Sequence, residues 1–417
     1  MKIFKNKKRK IIITTLVSTF VVTGLIITYY NSISKEEPLI GAYIDGTYSE
    51  TLPSKGSGYK VDKIVCDNNK NASWDYDKWG IKLSNWGTRN RCNIYFKGLE
   101  SFILANKTFY LDEMQRCPTM NSDGTVTVTE VESQYGYLCK AKDVYGDSYY
   151  YRGNVTNNYV KFAGFYWRII RINGDGTVRV IYDGTSAHAN GESNEDRQIG
   201  TTAFNSSYND NAYVGYMYGK AGASTYAETH ANTNNSTIKT YLDTWYENNI
   251  KGTTKEQYVK DNLFCNDRSF ARDNSGTGVG TSETHYRWYN FANNVNNNKM
   301  MLICPQNNDA FTVNDTSKGN GALTYGVGLV TTDEVVLAGG WNKENSKYYL
   351  YSGEYYWTMS PISSNDSAAG LSSVNSNGNA GSGYSVRSYG IGARPVLNLG
   401  SEILKNGNGT ASDPYHA

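Results

Sequence analysis

Twenty consecutive residues, Ile11 to Tyr30, carry no charge, and almost everything after them alternates. A run of that length matches the hydrocarbon thickness of a bilayer. Lys2, Lys5, Lys7, Lys8, Arg9 and Lys10 precede it without one acid, which holds residues 1–10 in the cytoplasm and sends the C-terminus outward. The pattern predicts a signal-anchor over 11–30, with the membrane as partner, followed by a stalk at 31–40. A cleaved signal peptide is the rival reading. Its apolar core is usually ~7–15 residues and ends in small residues, whereas this run is longer and ends Tyr29-Tyr30-Asn31. Both readings export the remainder, and the first predicts a single-pass cell-membrane protein with an extracellular C-terminus.

Beyond the stalk, period-two patterns dominate. Ile81 and Leu83 alternate with Lys82 and Ser84, and Cys92, Ile94 and Phe96 with Asn93 and Tyr95, predicting a small β-sandwich-like domain over 41–98 with Trp74 and Trp79 in its core. Residues 99–148 read as a connector: a helix over 99–111 with Phe102, Ile103 and Phe109 on one side, then a turn at 121–124 and a strand at 126–131. A larger domain follows over 149–400, and 401–417 is a tail. Its strongest signal is a hairpin: Tyr166–Ile172, the turn Asn173-Gly174-Asp175-Gly176, and Thr177–Tyr182. Arg168, Arg171 and Arg179 on this hairpin read as solvated strand edges. A helix is expected from Asn235 or Ser236, with Ile238, Tyr241, Leu242 and Trp245 on one stripe. Another starts at Thr331 or Thr332, with Asp333 and Glu334 in its positive first turn. A third, shorter one is expected near Thr254–Gln257. The fold class is therefore α+β and β-rich, behind an N-terminal transmembrane helix.

Charge changes the picture little. The formal net charge is +2, and the six basic residues of the tail exceed it, so the exported part is net acidic and shows no basic face for nucleic acid. Composition adds 36 tyrosines and 41 glycines, with long Asn/Ser/Thr stretches, a usage favoured in binding loops. The six cysteines all lie in the exported part and read as a disulfide framework. Six cysteines allow 15 connectivities; locality favours Cys66–Cys92, Cys117–Cys139 and Cys265–Cys304.

Three segments resemble a known group. Phe165–Asn173, Tyr355-Tyr356-Trp357-Thr358-Met359-Ser360-Pro361 and Gly392-Ala393-Arg394-Pro395-Val396-Leu397-Asn398-Leu399 resemble a widespread family of membrane-anchored surface proteins of low-GC Gram-positive and gut bacteria. The last two are also similar to the C-terminal core of C-type-lectin-like and sulfatase-modifying-factor-type domains. That resemblance implies a C-type-lectin-like domain over 149–400, displaying a loop-rich binding face. The matching region is Ser363–Tyr389, with Ser363, Ser364, Asn365, Asp366, Asn375, Asn377, Tyr384, Arg387 and Tyr389; separately, Tyr355, with Tyr348, Tyr349, Tyr351 and Tyr356, is expected to supply rings that stack on a sugar or anchor a protein partner. The calcium-site triplets of such lectins are missing, so no metal or other cofactor is expected.

No catalytic motif stands out. His188, His230, His285 and His416 are scattered, and the sequence holds neither a metalloprotease helix, a nucleophile elbow nor a P-loop. A glycosidase needs only two carboxylates, which spacing alone does not reveal. The expectation is thus an adhesion or ligand-binding protein, not an enzyme, facing an extracellular glycan or protein. A self-associating envelope or pilus-like subunit is the alternative, and a carbohydrate-active hydrolase the third reading.

Overall fold

The computed structural model describes residues 39–53, 59–67, 72–75, 78–83, 91–98, 117–272, 276–289 and 298–417. They fall in two compact units, Met1–Asn106 and Lys107–Ala417. Strand outweighs helix, 35% to 12%, so the chain is β-rich. The expected fold class needs correction at its first element. Among the described residues no helix is long and apolar enough to cross a membrane. The longest helix among the described residues, Thr237–Asn249, has 13 residues and so rises ~20 Å against a hydrocarbon layer of ~30 Å. The segment 11–30 itself lies outside the described residues, as do the tail 1–10, most of the stalk and the expected helix 99–111.

In the first unit, β1 (Leu39–Ile44), β2 (Thr47–Ser49), β3 (Tyr59–Cys66) and β6 (Arg91–Gly98) form one mixed sheet, ordered β2-β1-β6-β3. A separate hairpin pairs β4 (Ala72–Asp75) with β5 (Gly80–Leu83). Alternation turns Ala42, Ile94 and Phe96 to one face, where Trp74, Trp79 and Ile81 of the hairpin cover them. The unit is thus one sheet with a hairpin lid, in place of the two full sheets of a sandwich. Cys66 and Cys92, register partners on β3 and β6, are joined by a disulfide. Cys117–Cys139 and Cys265–Cys304 are the other two bridges.

The second unit is built on two antiparallel sheets. The larger contains β7 (Gly136–Asp143), β8 (Gly146–Gly153), β9 (Tyr159–Phe162), β10 (Phe165–Ile172), β11 (Val178–Tyr182), β13 (Val327–Gly328) and β17 (Val396–Leu399). Its order is β13-β17-β11-β10-β8-β7, with β9 also on β10. The C-terminal strand β17 therefore pairs with β11, Val178 opposite Leu399. Beyond it, the Tyr159 amide donates to Gly409 and the Lys161 amide to Tyr415, so the end of the chain straps β9. The smaller sheet runs β12 (Thr284–His285), β14 (Tyr356–Ser364), β15 (Ala369–Val374) and β16 (Ala380–Ser385) in that order.

The three helices are α1 (Tyr226–Thr229), α2 (Thr237–Asn249) and α3 (Thr332–Leu337) among the described residues. Ser236 caps α2 by accepting from the Lys239 amide. Trp245 of α2 sits 5.9 Å from Trp167 and 5.6 Å from Phe165, pinning the helix to the β10–β11 hairpin. Thr331 and Glu334 close a capping box on α3, whose six residues are all buried. The third expected helix is only one 3-10 turn, Glu256–Tyr258.

The hairpin arginines are not solvated edges. Arg168, Arg171 and Arg179 are at most 4% exposed. Arg171 meets Asp143 at 2.8 Å and Glu334 at 3.1 Å, Arg179 meets Glu334 at 2.5 Å, and Arg168 donates to Asn158 at 2.7 Å. Arg171 and Arg179 face a second buried layer, the N-terminal turn of α3, and Arg168 faces buried Asn158 and the Val155 carbonyl, so none of the three faces water. Charges buried this way persist only when paired.

Candidate functional site

The residues expected to form one binding face are distributed by the geometry of β15. Asn365 and Asp366 lie in the β14–β15 turn, and Asn375 and Asn377 in the β15–β16 turn. These turns stand at opposite ends of a six-residue strand, so they are separated by roughly 20 Å at 3.3 Å per residue. Each amide but that of Asn377 is already at work within its own turn. Asn365 Oδ1 accepts from the amides of Ser367 and Ala368, at 2.9 and 2.8 Å. Asn375 Oδ1 accepts from Asn377 and Asn379, at 3.0 and 2.9 Å. Asp366 accepts from the Ser367 hydroxyl, and Asn377 reaches out of its turn to donate to Glu344 at 2.6 Å. Asn365, Asp366 and Asn375 build turns, and Asn377 is tied to a neighbouring loop.

Tyr355, Tyr384, Arg387 and Tyr389 lie on or beside the last strands. The rings of Tyr355 and Tyr384 cross edge to face with centroids 5.5 Å apart. A hydrogen bond from the Tyr384 hydroxyl to Tyr355, then burial, raises the Tyr384 phenol above its ordinary range. After β16 the chain runs beside residues 202–208: the Asn205 amide donates to Val386 and the Thr202 amide to Ile391. That pairing lays the Arg387 guanidinium over the Tyr208 ring, 4.0 Å from its centroid. Tyr389 follows, 63% exposed, the most exposed large apolar side chain among the described residues. Half-buried Tyr208 beneath exposed Arg387, with exposed Tyr389 two residues further on, makes a ledge.

Tyr208 carried no sequence signal, because its role depends on a strip some 180 residues from Arg387 in the chain. Residues 202–206 of the same strip, together with the start of α2, also wall a groove. Tyr241, expected on the core stripe of α2, is half-buried there. Tyr348, Tyr349 and Tyr356, weighed as contact residues, are fully buried core.

The histidines have structural settings. His188 lies between Glu192, 2.7 Å from Nδ1, and Asp196, 3.1 Å from Nε2. His230 is buried between the Gly278 carbonyl and Arg268; burial and then that guanidinium push it down to about 3. Comparison with protein-family models, curated proteins and solved structures finds no match to the chain.

Proposed function

We propose that this is an exported binding protein of the kind its resemblance to bacterial surface proteins implies, presenting the Tyr208–Arg387–Tyr389 ledge to an extracellular glycan or protein. The ledge carries the reading. An exposed ring and a guanidinium stacked on a half-buried ring, carried by the turn after β16, supply contact area of the chemistry enriched at interface hot spots. Three disulfides fit an oxidising compartment.

The test is a screen of purified protein against glycan and extracellular-matrix arrays. A saturable ligand should be lost in Arg387→Ala and Tyr389→Ala with the melting temperature unchanged. Undiminished binding in both variants removes the ledge from the site. A folded protein that binds nothing on the arrays but self-associates as concentration rises would replace this reading with the structural-subunit one.

A further inference from the structure

We infer that the groove between strip 202–206 and the start of α2 binds a neutral saccharide. It holds about 450 Å³, within the usual range for small-ligand sites. Ten residues line it: six Ser or Thr, two Tyr and two Asn. None is charged and none is aliphatic. An ionised ligand would find no counter-charge there, and a lipid or an apolar peptide anchor would find no apolar wall.

The hydrogen-bonding state of the lining narrows the choice further. The hydroxyls of Thr240, Thr244 and Tyr241 donate to the carbonyls of Ser236, Thr240 and Ile199. Their protons are committed inward, so they offer the groove lone pairs alone. A ligand for them must bring donors, which a carboxylate or phosphate lacks. The opposite wall holds an unpaired donor just beneath its surface. Asn205 lines the groove at 3% exposed, and its Nδ2, closed to solvent, has no hydrogen-bond partner among the described residues. A buried amide left unpaired is costly, and a ligand acceptor that displaces the rim of the wall to reach it would recover that cost. A hydroxyl both donates and accepts, so a ligand dense in hydroxyls satisfies both walls at once. Half-buried Tyr218 and Tyr241 add ring surface for the apolar face of a sugar. The lining has no carboxylate, so binding should not need calcium.

This inference rests on reading the large unit as a binding module, but on a different wall of the strip from the ledge, so each can fail alone. Full-length protein is titrated with neutral hexose and N-acetylhexosamine oligosaccharides, free and immobilised, and with sialylated and uronic-acid glycans for comparison. The expected result is saturable binding of neutral sugars, unchanged by a chelator and insensitive to salt. Affinity should fall at least tenfold in Asn205→Asp, which swaps the donor for an acceptor. The exposed-rim variant Ser206→Lys, which leaves buried contacts alone, should lose binding with its melting temperature intact. Arg387→Ala should keep it. Binding of free sugar as tightly as immobilised chains would mark a small-molecule site, and preference for immobilised chains a glycan site; both support the class. No neutral sugar binding at millimolar concentration, binding retained in Ser206→Lys, or preference for acidic glycans that salt abolishes would each overturn it.

Discussion

Replacing Glu334 by glutamine would remove the one carboxylate that stands between two buried guanidinium groups. Glu334 meets Arg179 Nε at 2.5 Å and Arg171 Nε at 3.1 Å, and all three side chains are at most 5% exposed. Arg171 keeps Asp143 at 2.8 Å. Arg179 keeps only neutral acceptors, among them the carbonyls of Leu263 and Leu329. Breaking one side of such a pair costs about 3–5 kcal/mol, because a charge is left buried without its partner. At ~2 °C per kcal/mol, the melting temperature should fall roughly 6–10 °C. Burial pushes the Glu334 carboxyl up, but Arg179 and then Arg171 hold it below its ordinary value. A depressed carboxylate stabilises above its unfolded pKa and loses that contribution as pH falls through the folded one. The gap between wild type and Glu334→Gln should therefore be full at pH 7 and close as pH drops below about 4.5. Denaturant melts across pH 3–7 measure both. Arg179→Met should cost a similar amount alone, and the double variant less than the sum, since no orphan charge then remains. A loss under about 1 kcal/mol, or strict additivity, would refute the buried-pair account.

Three further outcomes are expected. His230 is pushed down to about 3, so the unfolded chain takes up a proton that the folded one refuses. Stability should drop by ~2 kcal/mol between pH 6.5 and pH 5, and denaturation of His230→Asn should lose that slope. Removing the Cys265–Cys304 bridge, with sequence separation 39, should cost about 4 kcal/mol on the chain-entropy account; urea melts of the double alanine variant check it. Gly153 has φ +81° and an added Cβ would stand 2.1 Å from the Tyr135 carbonyl oxygen, so Gly153→Ala should lose more than about 2 kcal/mol in thermal melts.

Local signals were legible and long-range ones were not. The β10–β11 hairpin, the Ser236 cap and the first-turn acids of α3 are written within a few residues of themselves, and they sit where the pattern puts them. Nearest-neighbour pairing gave all three disulfides, because each closes a local segment. The arginines of β10 and β11 misled because a polar strand position looks the same facing water or facing a buried partner. The acid that Arg171 and Arg179 share, Glu334, is 163 residues from Arg171. The expected site divided for a related reason: Asn365 and Asn375 are close in sequence, but the strand between them carries them apart. Tyr208 and Asn205 acquire meaning only through the strip that pairs with residues 386–391.

The pairing of Val178 with Leu399 sets a clock on biogenesis. Ribosomes add ~5–20 residues per second, so β11 waits roughly 10–45 s after its own synthesis before β17 exists to cover it. Through that interval β11 is an open edge of the larger sheet, the kind of surface that recruits stray strands. Residues 409–415 then strap β9 last. A chain stalled before Val396 is thus missing an interior strand of the larger sheet, the one that joins β13 to β11.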